Sequence, residues 1–66
     1  MMNRKMTIAV NEISGLNDNF VKIVTDGTFY YVGALFGDGN INRFAASPRY
    51  RTIKGAIAFA FKRYKL

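Results

Sequence analysis

The stretch FVKIVTDGTFYYV, residues 20–32, holds two β-rich runs on either side of Asp26-Gly27. An Asp-Gly pair between such runs favours a two-residue type I′ turn, whose twist matches that of the strands it joins. The spacing predicts a hairpin in which Thr25 faces Thr28, Val24 faces Phe29, Ile23 faces Tyr30, Lys22 faces Tyr31 and Val21 faces Val32. Cross-strand aromatic and β-branched pairs of this kind contribute about 0.2–1 kcal/mol each.

Working outward, Met6, Ile8 and Val10 alternate with Thr7, Ala9 and Asn11, a period of two that predicts a first strand. NEISGLNDN, residues 11–19, has the composition of a loop. After the hairpin, FGDGN (36–40) reads as a second reversal, with a two-residue turn at Asp38-Gly39 that sets Phe36 against Ile41. It lacks the further ligands of a calcium loop and the Gly-Lys-Ser/Thr of a phosphate loop. A fourth strand is expected from Ile41 to Ala46. Pro48 then ends the sheet, because proline has no N–H to donate. Thr52 is placed to cap a helix from about Ile53 to Lys65; Ser47 as cap with Pro48 at the first helical position would lengthen it by a turn. On that helix Ile53, Ala56, Ile57, Ala60, Phe61 and Tyr64 share one face. The expectation is therefore an α+β fold: a three- or four-stranded antiparallel β-meander followed by one C-terminal α-helix packed on one sheet face.

The 66 residues suit a single small basic domain, residues 1–66. Half of them are hydrophobic and 15% aromatic, too much apolar material for a disordered chain. A chain this short buries only about 60% of the surface its unfolded form exposes, so its core is marginal and self-association as a homodimer is one way to extend it. There is no cysteine and no histidine, which excludes disulfides and any thiolate or imidazole metal site. No cofactor is expected. No apolar run has the length of a signal peptide or a membrane span, so no membrane partner and a cytoplasmic location are expected.

Catalysis has no agent in this inventory. The four acids are Glu12 and Asp18 in or beside a loop, and Asp26 and Asp38 in turns. No nucleophile–base pair and no convergent carboxylate pair is visible, so no catalytic residue is assigned.

Charge is more informative. The net charge is +6, and it is unevenly spread. Residues 1–38 carry Arg4, Lys5 and Lys22 against four acids, which leaves −1. Residues 39–66 carry Arg43, Arg49, Arg51, Lys54, Lys62, Arg63 and Lys65 with no acid, which gives +7. A concentrated cationic field attracts polyanions, because binding releases condensed counterions. The leading expectation is a non-catalytic nucleic-acid-binding domain, for DNA or RNA. Its basic loop and helix would contact phosphates through Arg49, Arg51, Lys54, Lys62, Arg63 and Lys65, with Arg43 and Tyr50 at the margin. The bland reading of the same charges is solubility plus a basic last helical turn, where cations suit the helix dipole.

The faces of the sheet pose a second question. The predicted register puts Phe20, Lys22, Val24, Phe29, Tyr31, Leu35, Asn42 and Phe44 on one face. It puts Val21, Ile23, Tyr30, Val32, Ala34, Phe36, Ile41 and Arg43 on the other. One helix covers one face. Lys22 favours exposure of the first face, so burial of the Ile23/Val32/Phe36 face is expected. Exposed aromatics with an interspersed lysine suit base stacking; large apolar patches more often mark protein contacts. Phe20, Phe29, Tyr31, Phe44 and the outward-pointing Phe59 are accordingly the candidate interface of an alternative function. That alternative is a small inhibitor or adaptor, of phage or mobile-element type, docking on an acidic protein surface or on a second copy of itself.

The element order resembles domains in which a helix-backed three-stranded sheet enters the DNA major groove, such as the arm-binding domains of tyrosine recombinases and AP2-like domains. Such domains read DNA with polar and basic residues on the open sheet face. Here either face is aromatic or aliphatic with one basic residue.

Overall fold

A computed structural model describes residues 5–16 and 19–64 of the chain. Four strands, β1 (Thr7–Val10), β2 (Lys22–Thr25), β3 (Tyr30–Leu35) and β4 (Ile41–Arg43), form one antiparallel sheet in the order β1-β2-β3-β4. Helix α1 (Ile53–Tyr64) follows and packs on β3 and β2. The protein is an α+β meander with a C-terminal helix. The Thr52 hydroxyl accepts the Gly55 N–H at 3.2 Å, which makes Thr52 the N-cap. The longer helix capped by Ser47 does not form; Ser47 has another task, described below.

The hairpin exists, but two positions out of the expected register. Ile23 faces Val32, Val24 faces Tyr31 and Thr25 faces Tyr30. Asp26 is the reason. Its Oδ1 accepts the N–H groups of Thr28 (2.8 Å) and Phe29 (2.9 Å), and the Thr25 hydroxyl donates to the Phe29 carbonyl (2.8 Å). These bonds build a four-residue loop over Asp26–Phe29. Only Gly27 has a positive φ, of 95°, whereas a type I′ turn needs two. A shift of two keeps every side chain on its predicted face.

The second reversal slips by one, and that changes the faces. Leu35 pairs with Ile41, Ala34 with Asn42 and Gly33 with Arg43. Phe36 and Asn40 bracket a three-residue loop: the Gly39 N–H donates to the Phe36 carbonyl (2.9 Å) and the Phe36 N–H to the Asn40 carbonyl (2.8 Å). Gly39 takes φ 90°, the left-handed position that such loops require. Phe44 therefore turns towards the helix and Arg43 away from it, the reverse of the expected assignment.

β1 carries an irregularity. Ile8 faces Val24 but Val10 faces Ile23, so Ala9 is an extra residue in the ladder. The bulge lets one short strand serve two faces: Ile8 stays opposite Val24, while Val10 packs against the helix-side core.

That core contains Ile13, Val21, Ile23, Val32, Ala56 and Ala60. The burial expected for Ile23 and Val32 is observed; Phe36 is only half-buried. The opposite face is not open as expected. Val24 is fully buried and Tyr31 is 6% exposed. The sheet curls until parts of β1 come within 8 Å of β4, Cα to Cα, with no helix between them. Val24 and Tyr31 lie on the concave side of that curl. Lys22, which argued for exposure, instead donates its ammonium protons to the carbonyls of Asn11 (3.1 Å) and Asn19 (2.9 Å), tying down the β1–β2 connection.

Candidate nucleic-acid interface

β4 ends at Arg43, yet the chain returns to β3 seven residues later. Tyr50 and Tyr30 exchange both backbone hydrogen bonds (2.7 and 2.8 Å). Between these contacts the ladder is patched by a side chain: the buried Ser47 hydroxyl accepts the Val32 N–H at 2.9 Å and donates to the Pro48 carbonyl at 2.9 Å. This detour fixes the positions of the basic residues that follow.

Arg49 and Tyr50 point to opposite sides. Tyr50 turns to the helix, where its ring lies against Gly55 and 6.1 Å from the ring of Phe59. Phe59 is thus half-buried against the core rather than outward-pointing, and the half-buried Tyr50 ring packs beside it. Arg49 lies on the concave sheet side with its guanidinium 4.8 Å above the Phe29 ring centroid. Arg43 lies on the same side, 4.7 Å above the Tyr31 ring, and its Nη2 donates to the Ser47 carbonyl at 2.7 Å. The Tyr31 hydroxyl in turn donates to Asp26 Oδ2 at 3.2 Å. Two arginine–aromatic stacks therefore lie over Phe29, the last residue of the loop, and Tyr31, the second residue of β3.

Arg51 and Lys54 are exposed beside Thr52, at the start of α1. With Arg43 and Arg49 they make an arc of four exposed cations along the chain, from the end of β4 to the first turn of α1. The first turn of α1 contains no acid. Lys54, Ala58 and Lys62 share the helix side turned away from Ala56 and Ala60, with the two lysines about 12 Å apart along the axis. Lys62 and Arg63 are exposed in the last turn, at the far end from Arg49. The predicted basic residues thus fall into a four-residue arc and a smaller distal pair; Lys65 lies outside the described residues.

The predicted apolar interface is dispersed. Tyr31 is buried under Arg43, Phe29 lies under Arg49, and Phe44 turns to the helix side with its ring 5.3 Å from that of Tyr64. Phe20 leaves the strand alternation and joins Phe36 (5.8 Å) and Phe44 (6.0 Å). Among the described residues, the large exposed apolar side chains are Phe20, 50% exposed, and Leu35, 43% exposed. The arginine stacks were not visible in the sequence, because each depends on a register that turn side chains decide.

No family model, no curated protein and no solved structure matches this chain. Among the described residues no helix is long and apolar enough to cross a membrane.

Proposed function

We propose that the protein is a non-catalytic nucleic-acid-binding domain whose phosphate-contacting surface is the arc Arg43–Arg49–Arg51–Lys54, with Lys62 and Arg63 as outlying contacts. The observation that carries this reading is the run of four exposed cations from the end of β4 to the first turn of α1, in a part of the chain without acidic side chains. Two of them are exposed guanidiniums lying over aromatic rings, and guanidinium N–H groups suit planar anionic groups. A second support is electrostatic. Helix N-termini carry partial positive charge and usually attract Asp or Glu. Here Arg51 and Lys54 add to that charge instead of offsetting it. A folded domain tolerates such an arrangement more readily when an anion is bound there.

Titration against labelled duplex and single-stranded DNA and RNA at two salt concentrations tests this reading. Counterion release predicts a log–log salt slope of about −3 to −5 if four to six phosphates are contacted. The double variant Arg49→Glu/Arg51→Glu should lose binding at low salt while keeping its fold. Absence of binding by the unmodified protein at low salt would exclude this function.

Half-exposed Phe20, seated on Phe36 and Phe44, supports a second reading in which this end of the molecule docks on another protein or on a second copy. Size-exclusion chromatography in the same experiment decides it. A dimer peak that Phe20→Ser abolishes, without nucleic-acid binding, would favour that reading.

A further inference from the structure

From the two arginine–aromatic stacks we infer that the concave sheet side is a platform for unpaired bases, and that the nucleic acid bound is single-stranded. The inference rests on the nucleic-acid reading and adds a substrate class and a division of labour to it. Three features point to bases here. First, Arg43 and Arg49 are exposed and each guanidinium lies over a ring, that of buried Tyr31 or half-buried Phe29, so its side turned away from the ring faces solvent. Unpaired bases stack on arginine planes as they do on aromatic rings. Second, the Arg43 guanidinium is held in place before any ligand arrives. Arg43 is held by the Tyr31 ring and by its bond to the Ser47 carbonyl at 2.7 Å, so less side-chain freedom is lost on binding.

Third, Asp26 places a carboxylate beside the two rings. Its carboxylate accepts the Phe29 N–H (2.9 Å) and the Tyr31 hydroxyl (3.2 Å), at the edge of both stacks. A phosphate seated on the platform would face that negative charge. A neutral base would not. The N–H groups of the two guanidiniums remain for the phosphates that flank these bases, which Arg51 and Lys54 also contact in a part of the chain without acidic side chains. A duplex presents its bases already stacked on one another and has none to offer such a platform.

The test separates planarity from charge. Arg49→Lys, and independently Arg43→Lys, keep the cation and remove the plane. Fluorescence anisotropy is measured with a short labelled mixed-sequence single strand and with its duplex, alongside thermal denaturation of each variant. The expected result is tighter binding of the single strand than of the duplex by the unmodified protein. Each lysine variant should then lose at least about fivefold in single-strand affinity, with duplex affinity changed less than twofold. Arg49 makes its contact with one exposed-loop ring, so its variant remains folded even if Arg43→Lys loosens the Ser47 segment. Equal affinity for strand and duplex, or single-strand binding unaffected by Arg49→Lys, overturns the platform and leaves phosphate binding standing. No binding of either probe at low salt overturns the platform together with the function it rests on.

Discussion

Ser47 holds more of this fold than its size suggests. It is 1% exposed, and its hydroxyl completes the hydrogen bonding of Val32 at the one point where the β4 side of the sheet departs from β3. Serine supplies an acceptor and a donor in one atom, and both are used. Ser47→Ala would strand the Val32 N–H in the core, at a cost of about 1–3 kcal/mol. In a domain of this size that should lower the melting temperature by roughly 4–8 °C per kcal/mol. A thermal scan of Ser47→Ala within 2 °C of the unmodified protein would mean that some other group satisfies Val32. Ser47→Gly, which lacks the hydroxyl and adds backbone freedom, should fall further still.

At the scale of elements, the strands and helix were legible in the sequence because they rest on periodicity. Alternation in 6–10 and 20–32, and the 3.6-residue stripe from Ile53 to Tyr64, survive any error in the turns. Register was not legible, because it rests on what turn side chains bond to. Asp26 accepts two backbone N–H groups and lengthens its loop; Gly39 adopts positive φ and sets a loop of odd length. The second of these exchanged the faces of Arg43 and Phe44, and with them the position of one of the two arginine–aromatic contacts. Gly55 shows the same limit within the helix. Propensity alone says that Gly55→Ala should stabilise α1 by up to about 1 kcal/mol. A Cβ at Gly55, however, would lie 2.9 Å from Tyr50 Cδ1, and the Tyr50 ring is braced by Phe59 and by the backbone pair with Tyr30. Gly55→Ala is therefore expected to destabilise the protein in urea denaturation, while Gly55→Ala combined with Tyr50→Ala should recover part of the helix gain. A lone Gly55→Ala that raises the midpoint would show that Tyr50 moves aside without cost.

For the whole molecule, the net charge of +6 and the placement of Arg51 and Lys54 at a helix N-terminus set stability against binding. Self-repulsion within a strongly charged small domain disfavours the compact state, and cations in a first helical turn oppose the dipole. Neither feature helps the fold, and nothing in the packing requires them, since Lys54 is exposed and its neighbour Thr52 already caps the helix. Lys54→Glu reverses both terms at once. It lowers the net charge by two and puts a carboxylate where the dipole favours one, a gain of about 0.3–1 kcal/mol. If the cationic arc exists to meet a polyanion, the same substitution should weaken nucleic-acid binding and make the salt slope shallower by about 1 to 2, because one contact is lost and one repulsion gained. The two measurements must then move in opposite directions, with a higher melting temperature and a lower affinity in one variant. A variant that is more stable and binds equally well would show that Lys54 lies off the binding surface. A variant that is less stable would show that Lys54 makes a structural contribution not visible in its exposed position.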